Sequence, residues 1–222
     1  MHKRTCVVVG IGPGIGLALA KRFGGQGFQI GMLARNAERL NAYVEELSAE
    51  GIEAHGFRAD ASDSHSLRSA LDAVAMELGD ISVLLYNPSM NLGGRISELD
   101  PELLVKSFRI NAIGALAASQ TVLPGMRRLG GGTILFTGSA AGLRPGSLEY
   151  LTLGIGKAGL RYLAHGLAED LKDEGIHVST VTIRGSVTSG TFFDPELIAE
   201  RFWQVYSEPK EQWKPEIMYE KA

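Results

Sequence analysis

Short apolar runs alternate along the chain with longer stretches in which apolar residues recur every three or four positions. Thr5–Val9, Gln29–Ala34, Ala54–Arg58, Val83–Tyr86, Thr133–Thr137 and His177–Ile183 are bounded by turn-forming residues and read as buried strands. Leu17–Phe23, Ala37–Ala49, Ser66–Leu78, Leu103–Leu129, Leu151–Lys172 and Pro195–Tyr206 carry helical spacing, several with Asp, Ser or Pro near the start and Gly near the end. Within the tail Trp213–Tyr219, Glu216-Ile217-Met218-Tyr219 follows a helix and a Pro-containing turn and predicts one last short strand. Strand and helix alternate from beginning to end.

Right-handed crossovers turn that order into a Rossmann-like α/β fold, a doubly wound parallel sheet flanked by helices, with ligand expected beyond the carboxyl ends of the strands. The length of 222 residues suits a single domain spanning 1–222. Its 22 Lys+Arg and 25 Asp+Glu leave a net charge of −3, spread along the chain, which provides no electrostatic footprint for nucleic acid or an anionic membrane. A small-molecule ligand fits that balance better. The lone cysteine, Cys6, sits in an apolar run, so it reads as core packing and a reducing compartment is expected. The basic start Met1-His2-Lys3-Arg4 precedes an apolar run that breaks at Gly10, too short for a signal peptide or a membrane span, which predicts a cytoplasmic protein. His2, His55, His65, His165 and His177 form no ligand spacing with Cys6, so no metal is expected. Ala112–Ala118 and Gly154–Gly159 are small-residue stretches in helices, which predicts either a helix-mediated homodimer or homotetramer or tight packing on the sheet.

The first strand runs directly into Gly10-Ile11-Gly12-Pro13-Gly14-Ile15-Gly16 and then into a helix. Glycine permits the tight turn and close approach of a pyrophosphate, and the helix start offers unpaired N–H groups to it. Gly10, Gly14 and Gly16 match G-x-x-x-G-x-G, and here the chain resembles the short-chain dehydrogenase/reductase family.

That resemblance implies a nicotinamide dinucleotide held by Gly10, Gly12, Gly14, Ile15 and Gly16. After the second strand, Leu33-Ala34-Arg35-Asn36 lacks the acidic residue that bonds the ribose hydroxyls in NAD-preferring relatives. Arg35, with Asn36 beside it, would instead bond a 2′-phosphate, so NADP(H) is expected over NAD(H); a solvated helix-start arginine is the alternative. Asp60, followed by Ala61, resembles the family aspartate at the adenine, or else caps a helix. Tyr86-Asn87-Pro88-Ser89 stands where the family has N-N-A-G, keeping only Asn87. Ile183-Arg184-Gly185-Ser186-Val187-Thr188-Ser189 resembles the family P-G-x-V-x-T, which assigns Gly185, Val187 and Ser189 to the nicotinamide carboxamide. Few residues separate Ser189 from Pro195, so the substrate lid looks truncated.

Family chemistry uses Asn, Ser, Tyr and Lys, and Asn111, Ser139 and Lys157 match three of them. Four positions before Lys157, where Y-x-x-x-K requires tyrosine, the chain has Leu153, which can neither give a proton nor bond an oxyanion. Tyr150 lies seven positions before Lys157, a spacing similar to the Y-x6-K of the branch containing enoyl-acyl-carrier-protein reductases. Seven helical residues would put Tyr150 and Lys157 on one face, about 10 Å apart along the axis. The resemblance therefore implies an NADP(H)-dependent reduction of a carbonyl or enoyl group, with Lys157 holding the ribose, Ser139 orienting the acceptor oxygen and Tyr150 protonating or stabilising it. The alternative is a noncatalytic NADP(H)-binding protein of regulation or assembly.

Overall fold

In the computed structural model, residues 3–144 and 148–221 are described; His2 and the rest of the extreme N-terminus lie outside them. Seven strands form one sheet: β1 (Thr5–Val9), β2 (Gln29–Ala34), β3 (Ala54–Arg58), β4 (Ile81–Tyr86), β5 (Gly132–Ser139), β6 (Ile176–Ile183) and β7 (Glu216–Tyr219). Their spatial order is β3-β2-β1-β4-β5-β6-β7, and every neighbouring pair is parallel. The strand order reverses between β1 and β4, which opens a crevice at their carboxyl ends. All five residues of β1 are buried, as expected for a strand covered on both faces and visible in sequence as a continuous apolar run. Pairing lengthens β5 and β6 beyond their apolar segments, because Gly132 registers with Ile176 and Ser139 with Ile183.

The helices are α1 (Ile15–Gly24), α2 (Ala37–Ala49), α3 (Ser64–Leu78), α4 (Pro101–Phe108), α5 (Gly114–Arg128), α6 (Leu151–Leu171) and α7 (Pro195–Ser207). Two apolar layers result. One packs Phe23, Phe28, Met32, Leu135 and Phe202 on one face of the sheet, and the other packs Leu67, Leu71, Val74, Tyr86, Phe136 and Leu160 on the opposite face. Trp203 meets the Phe23 ring edge-on at 5.2 Å, so it serves packing. Trp213 stacks on His177 at 4.5 Å, and burial holds the His177 imidazole neutral by lowering its pKa to about 4.

The single helix expected over Leu103–Leu129 is instead interrupted by a π-turn at Arg109–Ile113, between α4 and α5. A π-turn inserts a residue into the helical register, and periodicity alone passes over it. Here the buried Tyr86 hydroxyl donates to the Ile110 carbonyl at 2.7 Å, while Gly114 leaves room for it, since a Cβ there would lie 2.3 Å from that oxygen. Both small-residue stretches are used within the chain. A Cβ on Gly156 would come 2.4 Å from that of Asn111, one on Gly159 would strike the Phe108 ring at 2.7 Å, and Ala112, Ala115, Ala117 and Ala118 are buried. These glycines let α6 lie close against the π-turn.

Tyr86→Phe, which removes the hydroxyl bond to the π-turn and little else, is expected to cost about 1–3 kcal/mol. A urea titration should show a lower midpoint with an unchanged slope.

Candidate active site

At the carboxyl edge of the sheet the β1–α1 turn is fastened by Gly10 N and Ile11 N, which donate to the Leu33 carbonyl at 2.9 and 3.3 Å. Gly10 has φ +80°, and a Cβ there would meet Pro88 at 2.8 Å. A Cβ on Gly16 would press on the Gly10 carbonyl at 2.8 Å, so glycine lets the first turn of α1 settle onto the loop. Gly12 and Gly14 face open space, with no atom within 4 Å of where a Cβ would stand. Gly14 is the N-cap of α1 and no side chain caps that helix start. An open glycine cradle at an uncapped helix N-terminus fits a pyrophosphate.

Two adjoining hollows, of about 330 and 340 Å³, flank this turn and share Gly12, Asn87 and Ser89. The first is lined by Gly10, Arg35, Asn36, Asp60 and Ala61, together with Arg39, Tyr43 and Ile110. Asn36 caps α2 through its Oδ1, which accepts from Arg39 N at 2.9 Å. Asp60 Oδ1 accepts from both the amide and the hydroxyl of Ser62 at 2.8 Å. Burial raises the Asp60 pKa, but the Ser62 bonds and the Arg35 and Lys106 charges outweigh it and leave the carboxyl below its usual range. The α3 cap is Asp63, so Asp60 is not needed for that purpose. Arg39, in the first turn of α2, lines the same hollow and is absent from the sequence-based site.

The second hollow is lined by Gly14, Ile15, Gly16, Ser139, Leu153, Lys157, Gly185 and Val187. Lys157 on α6 is 4% exposed, and its Nζ donates to the carbonyls of Thr137 at 2.8 Å and Pro88 at 3.2 Å. The Thr137 hydroxyl donates to Asn87 Oδ1 at 2.9 Å, and Asn87 Nδ2 donates to the Gly10 carbonyl at 3.0 Å. β1, β4, β5 and α6 are thus laced together across the floor of the cleft. Ser139 Oγ accepts from Ala141 N at 3.3 Å. Burial pushes the Lys157 ammonium down to about 7.

Three residues expected in the site are not brought to the cleft. Tyr150 closes a 3₁₀ turn, Leu148–Tyr150, as the N-cap of α6, which begins at Leu151, and it does not line the hollow that Lys157 lines. Its ring is 41% exposed, and the hydrogen bond and negative charge of Glu149 raise its phenol, which makes it a weaker acid. Leu153 takes the place in the cleft instead. Asn111 is fully buried in the π-turn, its Nδ2 bonded to the Met90 and Ser107 carbonyls at 2.8 and 3.0 Å and its Oδ1 accepting from Met90 N at 3.3 Å. It holds the loop after β4. Ser189 is exposed in the segment between β6 and α7, where Thr188 N donates to the Phe193 carbonyl at 3.1 Å and the Tyr219 hydroxyl to that of Phe192 at 2.7 Å. The first bond closes the segment on itself and the second ties it to β7.

Residues 4–192 match the sequence pattern of the short chain dehydrogenase family. The chain is 32% identical over 198 residues to the 3-dehydrosphinganine reductase TSC10B of Arabidopsis thaliana, a match covering 87% of this chain and 58% of that protein. It superposes with a TM-score of 0.89 on a short-chain dehydrogenase from Rhodopseudomonas palustris, at 28% identity and 99% of both chains. A short chain dehydrogenase from Burkholderia cenocepacia J2315, solved in complex with NADP, aligns with a TM-score of 0.86 at 25% identity, covering 99% of this chain and 97% of that one.

The folded-state pKa of Lys157, about 7, lies below the ordinary 10.5, so between those values the unfolded chain binds the extra proton and stability rises with pH. Lys157→Met should abolish that contribution. Urea unfolding between about pH 7 and 10 should show the wild type gaining on the variant by about 1.4 kcal/mol per pH unit; parallel curves would contradict the burial argument.

Proposed function

This chain belongs to the short-chain dehydrogenase family, and from that premise we propose that it is an NADP(H)-dependent oxidoreductase reducing a carbonyl or enoyl group of a small molecule. One observation carries the cofactor choice: Arg35 and Arg39 line the adenosine end of the cleft, with no acidic residue in Leu33-Ala34-Arg35-Asn36. Two guanidinium groups suit a 2′-phosphate, and an acid at that place would suit free ribose hydroxyls. The NADP complex of the Burkholderia cenocepacia relative supports the same reading.

The cradle Gly12–Gly16 would receive the pyrophosphate on the uncapped start of α1. Asp60 and Ala61 would border the adenine, and Gly185 and Val187 the carboxamide. When bound, the reduced nicotinamide supplies hydride. Ser139 lines the same hollow with its Oγ accepting from Ala141 N, and its hydroxyl can orient an acceptor oxygen.

A second reading, a noncatalytic NADP(H)-binding protein, is favoured by Leu153 standing in the cleft while Tyr150 stands outside it. Screening ketones and enoyl thioesters for NADPH oxidation separates the two: turnover supports the enzyme, and tight binding with no oxidation supports the second reading.

Calorimetry tests the shared premise. Arg35→Ala and Arg39→Ala should each weaken NADPH by roughly tenfold or more while leaving NADH little changed, the loss expected for a charge-assisted bond. Equal losses for the two dinucleotides would remove both arginines from phosphate recognition, and no heat with either would overturn the cofactor reading.

A further inference from the structure

A leucine at the place of the family phenol leaves the second hollow with very little acid–base chemistry. Among its described lining residues, Lys157 is the one side chain that gains or loses a proton near neutral pH; the others are apolar or carry only hydroxyl or amide groups. An ammonium has three donors. Two of those on Lys157 are anchored on the carbonyls of Thr137 and Pro88, which leaves a third on a group that lines the cleft beside Ser139 and Leu153.

That anchoring suits proton donation. After losing one proton the amine still has two N–H groups for the same two carbonyls, so its position is kept while its charge disappears. No described carboxylate lies within ion-pair distance of it to hold the charged form. Charged groups on the surrounding elements are paired with other partners or exposed. Arg161 of α6 bonds Glu216 of β7 at 2.6 Å, with His165 3.6 Å from the same carboxylate. The Lys106 charge acts on Asp60, while Arg109 of the π-turn is exposed, as is Arg144, which follows β5. Tyr150 at the start of α6 is turned toward Glu149.

We propose that Lys157 is the proton donor of this cleft, acting in place of the missing phenol and directing to the acceptor oxygen the one N–H that the family resemblance would give to the ribose. As hydride reaches the carbonyl carbon of a ketone, the C=O π pair moves to oxygen and one Nζ–H bond of Lys157 breaks. The proton goes to that oxygen to complete the alcohol, and water reprotonates the amine. The step rests on the NADP(H) reading above, since the hydride comes from the reduced nicotinamide. Burial helps at each end of the cycle by bringing both protonation states of Lys157 within reach at neutral pH.

The test combines three measurements, of which two need no turnover. Lysine 13Cε resonances of the cofactor-free protein should include one with a midpoint near 7 that vanishes in Lys157→Met. Calorimetry with NADPH should show Lys157→Arg binding within about tenfold of the wild type, because arginine keeps the cation. NADPH oxidation by the activated ketone ethyl pyruvate should fall about tenfold per pH unit above the lysine midpoint, and by about 100-fold or more in Lys157→Arg, whose guanidinium does not release a proton. Leu153→Tyr, which restores a phenol four residues from Lys157, should extend the active range to higher pH. The proposal is overturned by a lysine midpoint left near 10, by a wild-type rate that does not change with pH across the measured midpoint, by undiminished turnover in Lys157→Arg, or by NADPH that binds and is never oxidised. Absence of NADPH binding by the wild type overturns the cofactor reading instead, and calorimetry reports that separately from the lysine titration.

Discussion

The buried ammonium of Lys157, held between the carbonyls of Thr137 and Pro88, is the constraint on which the cleft depends. A lysine at 4% exposure without a carboxylate partner is costly in its charged form. It is kept in place by the ends of β4 and β5 and by the position of α6, and it ties those elements to one another. Through Thr137 and Asn87 the same lacing reaches the Gly10 carbonyl, so the turn that would receive phosphate and the hollow that would receive an acceptor share one hydrogen-bonded floor.

Departures from the family pattern make sense in relation to that floor. Pro88 replaces a position of conformational freedom, yet the described chain contains no non-glycine residue with positive φ. The Pro88 ring packs where a Cβ on Gly10 would be, and its carbonyl is one of the two Lys157 acceptors. Asn111 serves the same loop from behind, by holding Met90 from inside the π-turn. Leu153, by contrast, changes the chemistry without disturbing the packing, because an apolar side chain is at ease beside Ile183 and Val187. The architecture of the short-chain dehydrogenase family is retained around a leucine at that position.

Much of the cofactor half was legible in the chain. Glycine spacing at a strand-to-helix turn, an arginine at the tip of the second strand and an aspartate after the third are local patterns, and Gly12, Gly14, Arg35 and Asp60 all line the cleft. Arg39 was missed because the Asn36 cap marks its amide and not its side chain; it reaches the cleft through its place in the first turn of α2. The substrate half was harder to read. Tyr150 depended on helical register continuing one residue further than it does, and Ser189 on the path of an exposed loop that is tied to β7 through Phe192.

Alternation of apolar runs with amphipathic stretches determined by itself the element order, the parallel sheet and the edge on which a ligand would bind, because burial on both faces and right-handed crossover leave few other arrangements. Tertiary structure alone decided where α6 begins, that Leu153 rather than Tyr150 enters the cleft, and that a π-turn breaks the long helix. Those outcomes turn on contacts between residues far apart in sequence, such as Tyr86 with Ile110 and Lys157 with Pro88, which no local pattern of side chains encodes.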